Sequence, residues 1–169
     1  RVTAPMVVLS GTGLNDDLNG VERPVTFPIK DMAEQKAEVV HSLAKWKRIK
    51  LAQMGVQPGR GIYTDMNALR PDEELDNIHS IYVDQWDWER VITPEERSLD
   101  YLKRTVRRIY EAIKVTENKL YVEFPQIEPM LPEDVYFIHA EELLNKYPGM
   151  SAKERENAVV REHKAVFVI

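Results

Sequence analysis

The sequence predicts an α+β fold, in which an antiparallel sheet is flanked by helices. Segments rich in strand-forming residues follow one another closely along the chain, as they do when neighbouring strands pair antiparallel. Helical patterns are interspersed among them, instead of alternating regularly with single strands as in a doubly wound parallel sheet. The 169 residues hold no internal repeat, and at 43% hydrophobic content they suffice for one domain with a hydrophobic core.

The first part of the chain predicts strands separated by a glycine-rich loop. Val2–Leu9 is rich in strand formers, and Pro5 within it indicates an edge or interface position. The loop "SGTGLNDDLNG" follows, and after it comes the short extended piece "RPVTFPI". The stretch "KAEVVHS" then predicts a strand that leads directly into the first helix.

The middle of the chain predicts one helix followed by two strands. The helix is "LAKWKRIKLAQMG", with Gly55 as its stop and an apolar stripe formed by Leu43, Trp46, Leu51 and Met54. After the turn "QPGRG", the extended segment "IYTDMNALR" is joined by the polar connection "PDEELDN" to the long strand "HSIYVDQWDWERV".

The last part of the chain predicts three helices and two strands. Thr93, Pro94 and Glu96 form a capping box with proline at the first helical position. The apolar residues of this helix recur at helical spacing and are expected to pack against the sheet: Leu99, Leu102, Val106, Ile109 and Ile113. There follow a strand "PEDVYFIH", a short helix "AEELLNKYP", a helix "SAKERENAVVREH" opened by Ser151 and Glu154, and a buried strand "AVFVI".

Composition and charge exclude several classes of function. A net charge of −5 and a pI near 5.5 argue against a dedicated nucleic-acid binder, and "KWKRIK" and "KRTVRR" are typical of solvated helix faces. No apolar run is long enough to span a membrane. The chain has no cysteine, which excludes a disulfide framework and a thiol nucleophile and suits a reducing cytoplasm.

Known catalytic motifs are absent from the sequence. The glycine-rich loop lacks the lysine and the spacing of a Walker loop, and it does not match a calcium loop. The four histidines show no metal-ligand spacing, and no G-x-S-x-G signature is present. The chain begins with Arg1 and stops inside an apolar run, so we expect it to be a fragment.

The strand "IYVDQWDWERV" raises a question about function. Side chains alternate between the two faces of a strand, so Gln85, Asp87 and Glu89 share one face with Val83, while the tryptophans lie on the other. Two interpretations are open. The polar end of that face is simply solvated, or it forms the floor of a ligand site.

Charged residues elsewhere would serve a ligand site, although each also has a solvated interpretation and Lys50 lies near the same apolar stripe as Lys47. Lys47 falls inside the apolar stripe of the first helix, where it either extends out to water or needs an anion. Arg70, at the end of a strand, presents a planar fork that suits carboxylate or phosphate oxygens. Asp16 and Asp17 lie in the glycine-rich loop, from which they are able to face a substrate ammonium group.

Four segments closely resemble a known enzyme family. "SGTGLNDDLNGVERPV", "HSLAKWKR", "ALRPDE" and "HSIYVDQWDWERV" are similar to those of aspartate–ammonia ligases, the ammonia-dependent asparagine synthetases of the A type. That family resembles the catalytic core of class II aminoacyl-tRNA synthetases, so the resemblance implies this fold and a homodimer. It further implies that 1–169 is a single partial catalytic domain, without the family's N-terminal helix and C-terminal portion.

The resemblance also implies a reaction. ATP adenylates the side-chain carboxylate of L-aspartate with release of pyrophosphate, and ammonia then attacks the acyl adenylate to give L-asparagine and AMP. Mg²⁺ is implied with ATP, and its ligands are expected outside this segment. The resemblance implies a cytoplasmic enzyme that has neither nucleic acid nor membrane as a partner.

Individual roles follow residue by residue from the same resemblance. Arg70 would hold the α-phosphate and the reacting carboxylate, and Lys47 would bind a substrate carboxylate. The implied roles of the others are equally specific: Gln85 and Asp87 hold the amino-acid head, Asp16 closes over it, and Glu73, or else Asp72, contacts adenine. Two alternatives remain open: an aspartyl- or asparaginyl-tRNA synthetase core, and a non-catalytic paralogue that senses amino acid or nucleotide.

Overall fold

A computed structural model describes residues 1–16, 18 and 20–169 of the chain. These residues fall into two compact units, Arg1–Thr93 and Pro94–Ile169. The mixed α and β composition predicted from the sequence is confirmed, and the single domain predicted over 1–169 stays a prediction. Within the described ranges, no helix is long and apolar enough to cross a membrane.

The first unit opens with a three-stranded antiparallel sheet. Its strands are β1 (Val7–Leu9), β2 (Thr26–Ile29) and β3 (Gln35–Val39), in the order β1–β3–β2. The strand predicted over 2–9 is shorter in the structure, because the preceding backbone pairs elsewhere: the Val2 N–H donates to the Tyr63 carbonyl at 3.0 Å. The central strand β3 leads towards the first helix, as predicted.

A helix and a long antiparallel ribbon complete the first unit. Helix α1 spans Ala44–Gln53, and the ribbon consists of β4 (Gly61–Leu69) and β5 (Tyr82–Arg90), paired over all nine residues. In β4 every second side chain is buried, which is the period of a strand with one face on a core. The core between the sheet, the helix and the ribbon consists of Val8, Val40, Leu43, Met66 and Ala68.

The end of α1 differs from the predicted helix in one respect. Gly55 terminates it as expected, with a left-handed φ of 59° that favours glycine. The prediction that Met54 lies on the apolar stripe is wrong, since 52% of its surface is exposed. The helix ends at Gln53, so Met54 stands at the turn where the chain leaves the core.

The second unit is built from three helices and two short strands. They are α2 (Leu99–Glu123), β6 (Tyr136–Ile138), α3 (Ala140–Lys146), α4 (Ala152–His163) and β7 (Val166–Val168). The capping box predicted at the start of α4 is confirmed by reciprocal hydrogen bonds. A small core lies under the strands and consists of Ile138, Leu143 and Val159.

Strand pairing in the second unit corrects the prediction of a single antiparallel sheet. The strands of the described residues form three separate sheets, and β6 and β7 pair parallel. Two helices, α3 and α4, connect these strands, and such a crossover returns the chain to the same end of the sheet. Strand β7, predicted to be buried, is only half-buried within this unit.

The start of α2 also differs from the prediction made from the sequence. A capping box was predicted at Thr93, yet residues 94–96 form a separate turn and the helix begins at Leu99. Ser98 is the residue that caps it, because its backbone is extended and its hydroxyl accepts from the Tyr101 N–H at 3.3 Å.

Candidate functional site

A buried ion pair joins α1 to β5. Lys47 is completely buried, and its ammonium group forms a hydrogen-bonded ion pair with the carboxylate of Asp87. The side chain of Asp87 is 29% exposed, so the pair opens to solvent on the acid's side. The sequence left open whether Lys47 reaches water or meets an anion; in the structure it is buried, and the anion beside it is the carboxylate of Asp87. The roles of both residues towards a substrate stay predictions.

The strand that carries Asp87 has the two faces that alternation predicted. Val83, Gln85, Asp87 and Glu89 are half-buried, whereas the intervening side chains are exposed, with Trp86 at 87%. In the ribbon Gln85 lies opposite Met66, and Asp87 lies opposite Thr64. Because directly paired residues share a face, the amide and the acid stand over the buried row of β4.

Thr64 supports the floor beneath the ion pair. It is completely buried, and its hydroxyl donates to the backbone carbonyl of Asp87 at 3.3 Å. This bond fixes the backbone of the residue that holds the Lys47 ammonium group. Sequence reasoning did not single out Thr64, although its place in the alternating row of β4 marks it as inward-facing.

Arg70 stands where β4 ends and continues the inward-facing row of that strand. Its backbone N–H donates to the Ile81 carbonyl at 2.8 Å, which closes the ribbon at this end. Its Nε atom is buried and has no hydrogen-bond partner within the described part of the chain. A buried guanidinium N–H without a partner is costly, so this atom is suited to a ligand acceptor.

A cavity of about 280 Å³ lies beside Arg70. Its lining comes from three stretches of the first unit: Leu18, Glu22, His41, Arg70, Asp72 and Glu73. Arg70 and Glu73 are thus brought together, and the Glu73 N–H donates to the Arg70 carbonyl at 3.2 Å. Along the ribbon Asp87 lies six positions beyond Ile81, or about 20 Å. The site is therefore elongated, with the cavity at one end and the buried ion pair towards the other.

Asp72 is held by a partner that the sequence did not predict. Its carboxylate accepts from the Arg23 backbone N–H at 2.7 Å and from the Arg23 Nε at 3.0 Å. Side-chain hydrogen bonding by Arg23 is the main cause that lowers the pKa of Asp72 from 3.8 to about 2. Because these bonds occupy Asp72, the structure favours Glu73 of the two predicted adenine contacts, and that contact stays a prediction.

Asp16 is bound to the first turn of α1. Its carboxylate accepts from the Lys45 N–H at 3.1 Å and lies 3.6 Å from the Lys45 ammonium group, and its own N–H donates to the Ser42 carbonyl at 3.1 Å. Leu43, the residue at the N-cap, offers no side-chain cap, so Asp16 satisfies a helix N–H from another part of the chain. Asp17 lies outside the described residues.

Two buried residues next to Asp16 escaped the sequence analysis. Asn15 is 9% exposed and His41 is 2% exposed, and the His41 N–H donates to the Asn15 Oδ1 at 2.7 Å. The His41 Nε2 lies 3.1 Å from the Arg23 carbonyl. Both lie in segments that resemble the family, yet the sequence analysis gave them no role, because a polar residue in a glycine-rich loop or before a helix gives no signal of burial.

The arrangement suits a small ligand that carries both charges. An acid and a buried ammonium group lie at one place, a guanidinium with a free buried N–H lies farther along the same face, and a carboxylate lines the cavity beside it. Among the described residues, no group of three or more His, Asp or Glu side chains is placed to hold a metal ion.

Comparison with known proteins gives a family match over the whole chain. The sequence model of the family described as aspartate-ammonia ligase matches residues 1–169. Proteins named aspartate–ammonia ligase are 62% identical in Parabacteroides distasonis, 57% in Clostridium perfringens and 52% in Levilactobacillus brevis, each over all 169 residues. The chain covers 49%, 50% and 50% of these relatives, so it spans about half the length of the curated relatives it matches.

Proposed function

The chain belongs to the aspartate–ammonia ligase family, and we propose that it contributes half of a protein that joins L-aspartate and ammonia into L-asparagine. ATP activates the side-chain carboxylate as an acyl adenylate with release of pyrophosphate, and ammonia displaces AMP. We further propose that the complete protein has the class II aminoacyl-tRNA synthetase-like core, is a homodimer and works in the cytoplasm. The observation that carries the proposal is the buried Lys47–Asp87 pair on the same face as Arg70.

The ion pair suits the head group of an amino acid. L-Aspartate carries an ammonium and an α-carboxylate on one carbon, which are the charges of Lys47 and Asp87 exchanged. When the ammonium group binds Asp87 and a carboxylate binds Lys47, both charges of the pair keep a partner. Asp87 is the exposed member, so the substrate reaches the pair from its side. Gln85, on the same face, hydrogen-bonds the head group, and Asp16 adds a second acid.

Arg70 is proposed to act on the reacting atoms. The adenylation step brings a carboxylate oxygen against the α-phosphorus of ATP, and negative charge accumulates there in the transition state. A guanidinium group that donates to both partners stabilises this charge without reorganisation. Its buried Nε supports this role, because that N–H finds no acceptor within the described residues. Glu73, which lines the same cavity, is proposed to contact adenine.

Magnesium enters the proposal with ATP. When Mg²⁺ accompanies a nucleotide, it takes ligands from phosphates and water and needs only one or two protein carboxylates. As the family resemblance implies, we propose that its protein ligands lie outside this segment. Bound with ATP, Mg²⁺ would neutralise phosphate charge, and the residues of this chain would orient the two substrates.

The test is pyrophosphate release by the full-length protein that contains this segment. We expect release to require both L-aspartate and ATP, and AMP and L-asparagine to form in equal amounts once ammonia is added. Aspartylation of tRNA in place of free asparagine would assign the protein to the synthetases. Binding of aspartate or ATP without turnover would assign it to the sensors.

The isolated 169 residues are expected to have little or no ligase activity. Half the length of the curated relatives is absent from them, and a site that binds two substrates at once depends on residues held in place from all sides. Asparagine formation by the purified segment is compared with that by the full-length protein at equal molar concentration. Substantial turnover by the segment would contradict this expectation.

A further inference from the structure

Asn15 has more hydrogen bonds than its place in an exposed glycine-rich loop suggests. Its amide Nδ2 donates to the Glu38 Oε2 at 2.8 Å and lies 3.4 Å from the Val39 carbonyl. Its Oδ1 accepts from the His41 N–H at 2.7 Å. Both ends of the amide are therefore bonded to the stretch where β3 ends, and only 9% of the residue is exposed.

The next residue in the chain is Asp16, whose bonds lie just beyond those of Asn15. Asn15 binds the segment 38–41, and Asp16 binds Ser42 and Lys45. The two adjacent side chains thus hold the loop along the end of β3 and the beginning of α1. The same helix carries Lys47 one half-turn farther on.

We propose that Asn15 is a positioning residue that fixes the carboxylate of Asp16 at the start of α1 before the amino acid binds. The inference rests on the proposed function, in which Asp16 faces the substrate ammonium group. A primary amide is required because the site presents two acceptors and one donor. The acceptors are the Glu38 carboxylate and the Val39 carbonyl, and the donor is the His41 N–H.

Two substitutions separate the bonds of this amide. Asn15→Ala removes all of them. Asn15→Asp keeps the volume and the bond from the His41 N–H, yet it sets a carboxylate against the Glu38 carboxylate and the Val39 carbonyl. The matched control is Asn145→Ala, the same change at an exposed position of α3.

The kinetic test is a double-mutant cycle with Asp16→Asn in the full-length protein. We expect Asn15→Ala and Asn15→Asp each to raise the KM for L-aspartate about tenfold and to leave the KM for ATP within about twofold. In the Asp16→Asn background, Asn15→Ala should add less than about twofold, because a residue that acts through Asp16 has nothing left to position. A purely structural role would instead lower the active fraction and leave both KM values unchanged.

Hydrogen exchange tests the same inference without turnover. Asn15→Ala should accelerate amide exchange in the peptide 42–47, because the Lys45 N–H loses a fixed acceptor, and Asn145→Ala should leave it unchanged. Unchanged amide exchange in the peptide 42–47 would overturn the inference. It would also be overturned if the effects of Asn15→Ala and Asp16→Asn on the KM for L-aspartate multiply in the double variant. If exchange accelerates while the wild type forms no asparagine, the proposed function fails and the positioning of Asp16 stands.

Discussion

Replacing Asp87 with alanine should destabilise the protein more than replacing its partner, Lys47. The ammonium group of Lys47 is completely buried, and Asp87 is its only ion-pair partner among the described residues. Removing one partner of a buried pair costs about 3–5 kcal/mol, because the other charge is left uncompensated. The Asp87 side chain is 29% exposed, so water enters the vacated space and lowers the expected cost to about 2–3 kcal/mol.

Substitution of the other partner, Lys47→Met, should lower the free energy of unfolding by about 1 kcal/mol or less. Methionine keeps the apolar stem of the lysine, and the carboxylate that remains lies on the side of the pair that is open to water. In the double variant the buried charge is gone. The double variant should therefore be little less stable than Lys47→Met alone. The coupling between the two positions is then about 2 kcal/mol.

Urea titration of the full-length protein, followed by tryptophan fluorescence and circular dichroism, measures these differences. The midpoint concentration should fall in the order wild type, Lys47→Met, Asp87→Ala, with similar slopes. Equal losses for the two single variants, with additive effects in the double variant, would refute the reasoning. Such a result would mean that the ammonium group of Lys47 is solvated in the folded protein.

Three further predictions concern other parts of the first unit. Arg70→Ala should lower asparagine formation at least about a hundredfold and leave the thermal midpoint unchanged, and a wild-type rate would refute its role. The pKa of Asp72 is lowered from 3.8 to about 2, so its pairing with Arg23 stabilises the fold above pH 3.8. The stability advantage of wild type over Asp72→Asn should therefore shrink as the pH falls from 3.8 to about 2. An advantage that grows on acidification would contradict this. Gly61→Ala should destabilise the ribbon by about 1–3 kcal/mol in urea titrations, because a Cβ there would lie 2.3 Å from the Glu89 carbonyl oxygen. A variant with the wild-type midpoint would show that the ribbon yields at this point.

Local patterns anticipated the elements that carry the site. Alternation along β5 predicted which side chains face inward, and the helical period predicted that Lys47 lies in the apolar stripe of α1. The same reasoning failed where local signals compete. Residues 93–96 have the composition of a helix start, yet Ser98 provides the cap, and the choice between two nearby caps depends on how the chain enters the helix.

The sequence alone determined the periodicities, the absence of cysteine and the family, because these are properties of neighbouring residues or of the chain as a whole. The tertiary structure alone decided which partner each charged group takes. Lys47 and Asp87 are 40 residues apart, and Arg23 and Asp72 are 49 apart. Such pairs form only when the chain closes long loops around a core, and many acids at similar separations satisfy the same sequence pattern. The anchoring of Asp16 by Asn15 is of this kind, since its bonds depend on where β3 ends against the loop.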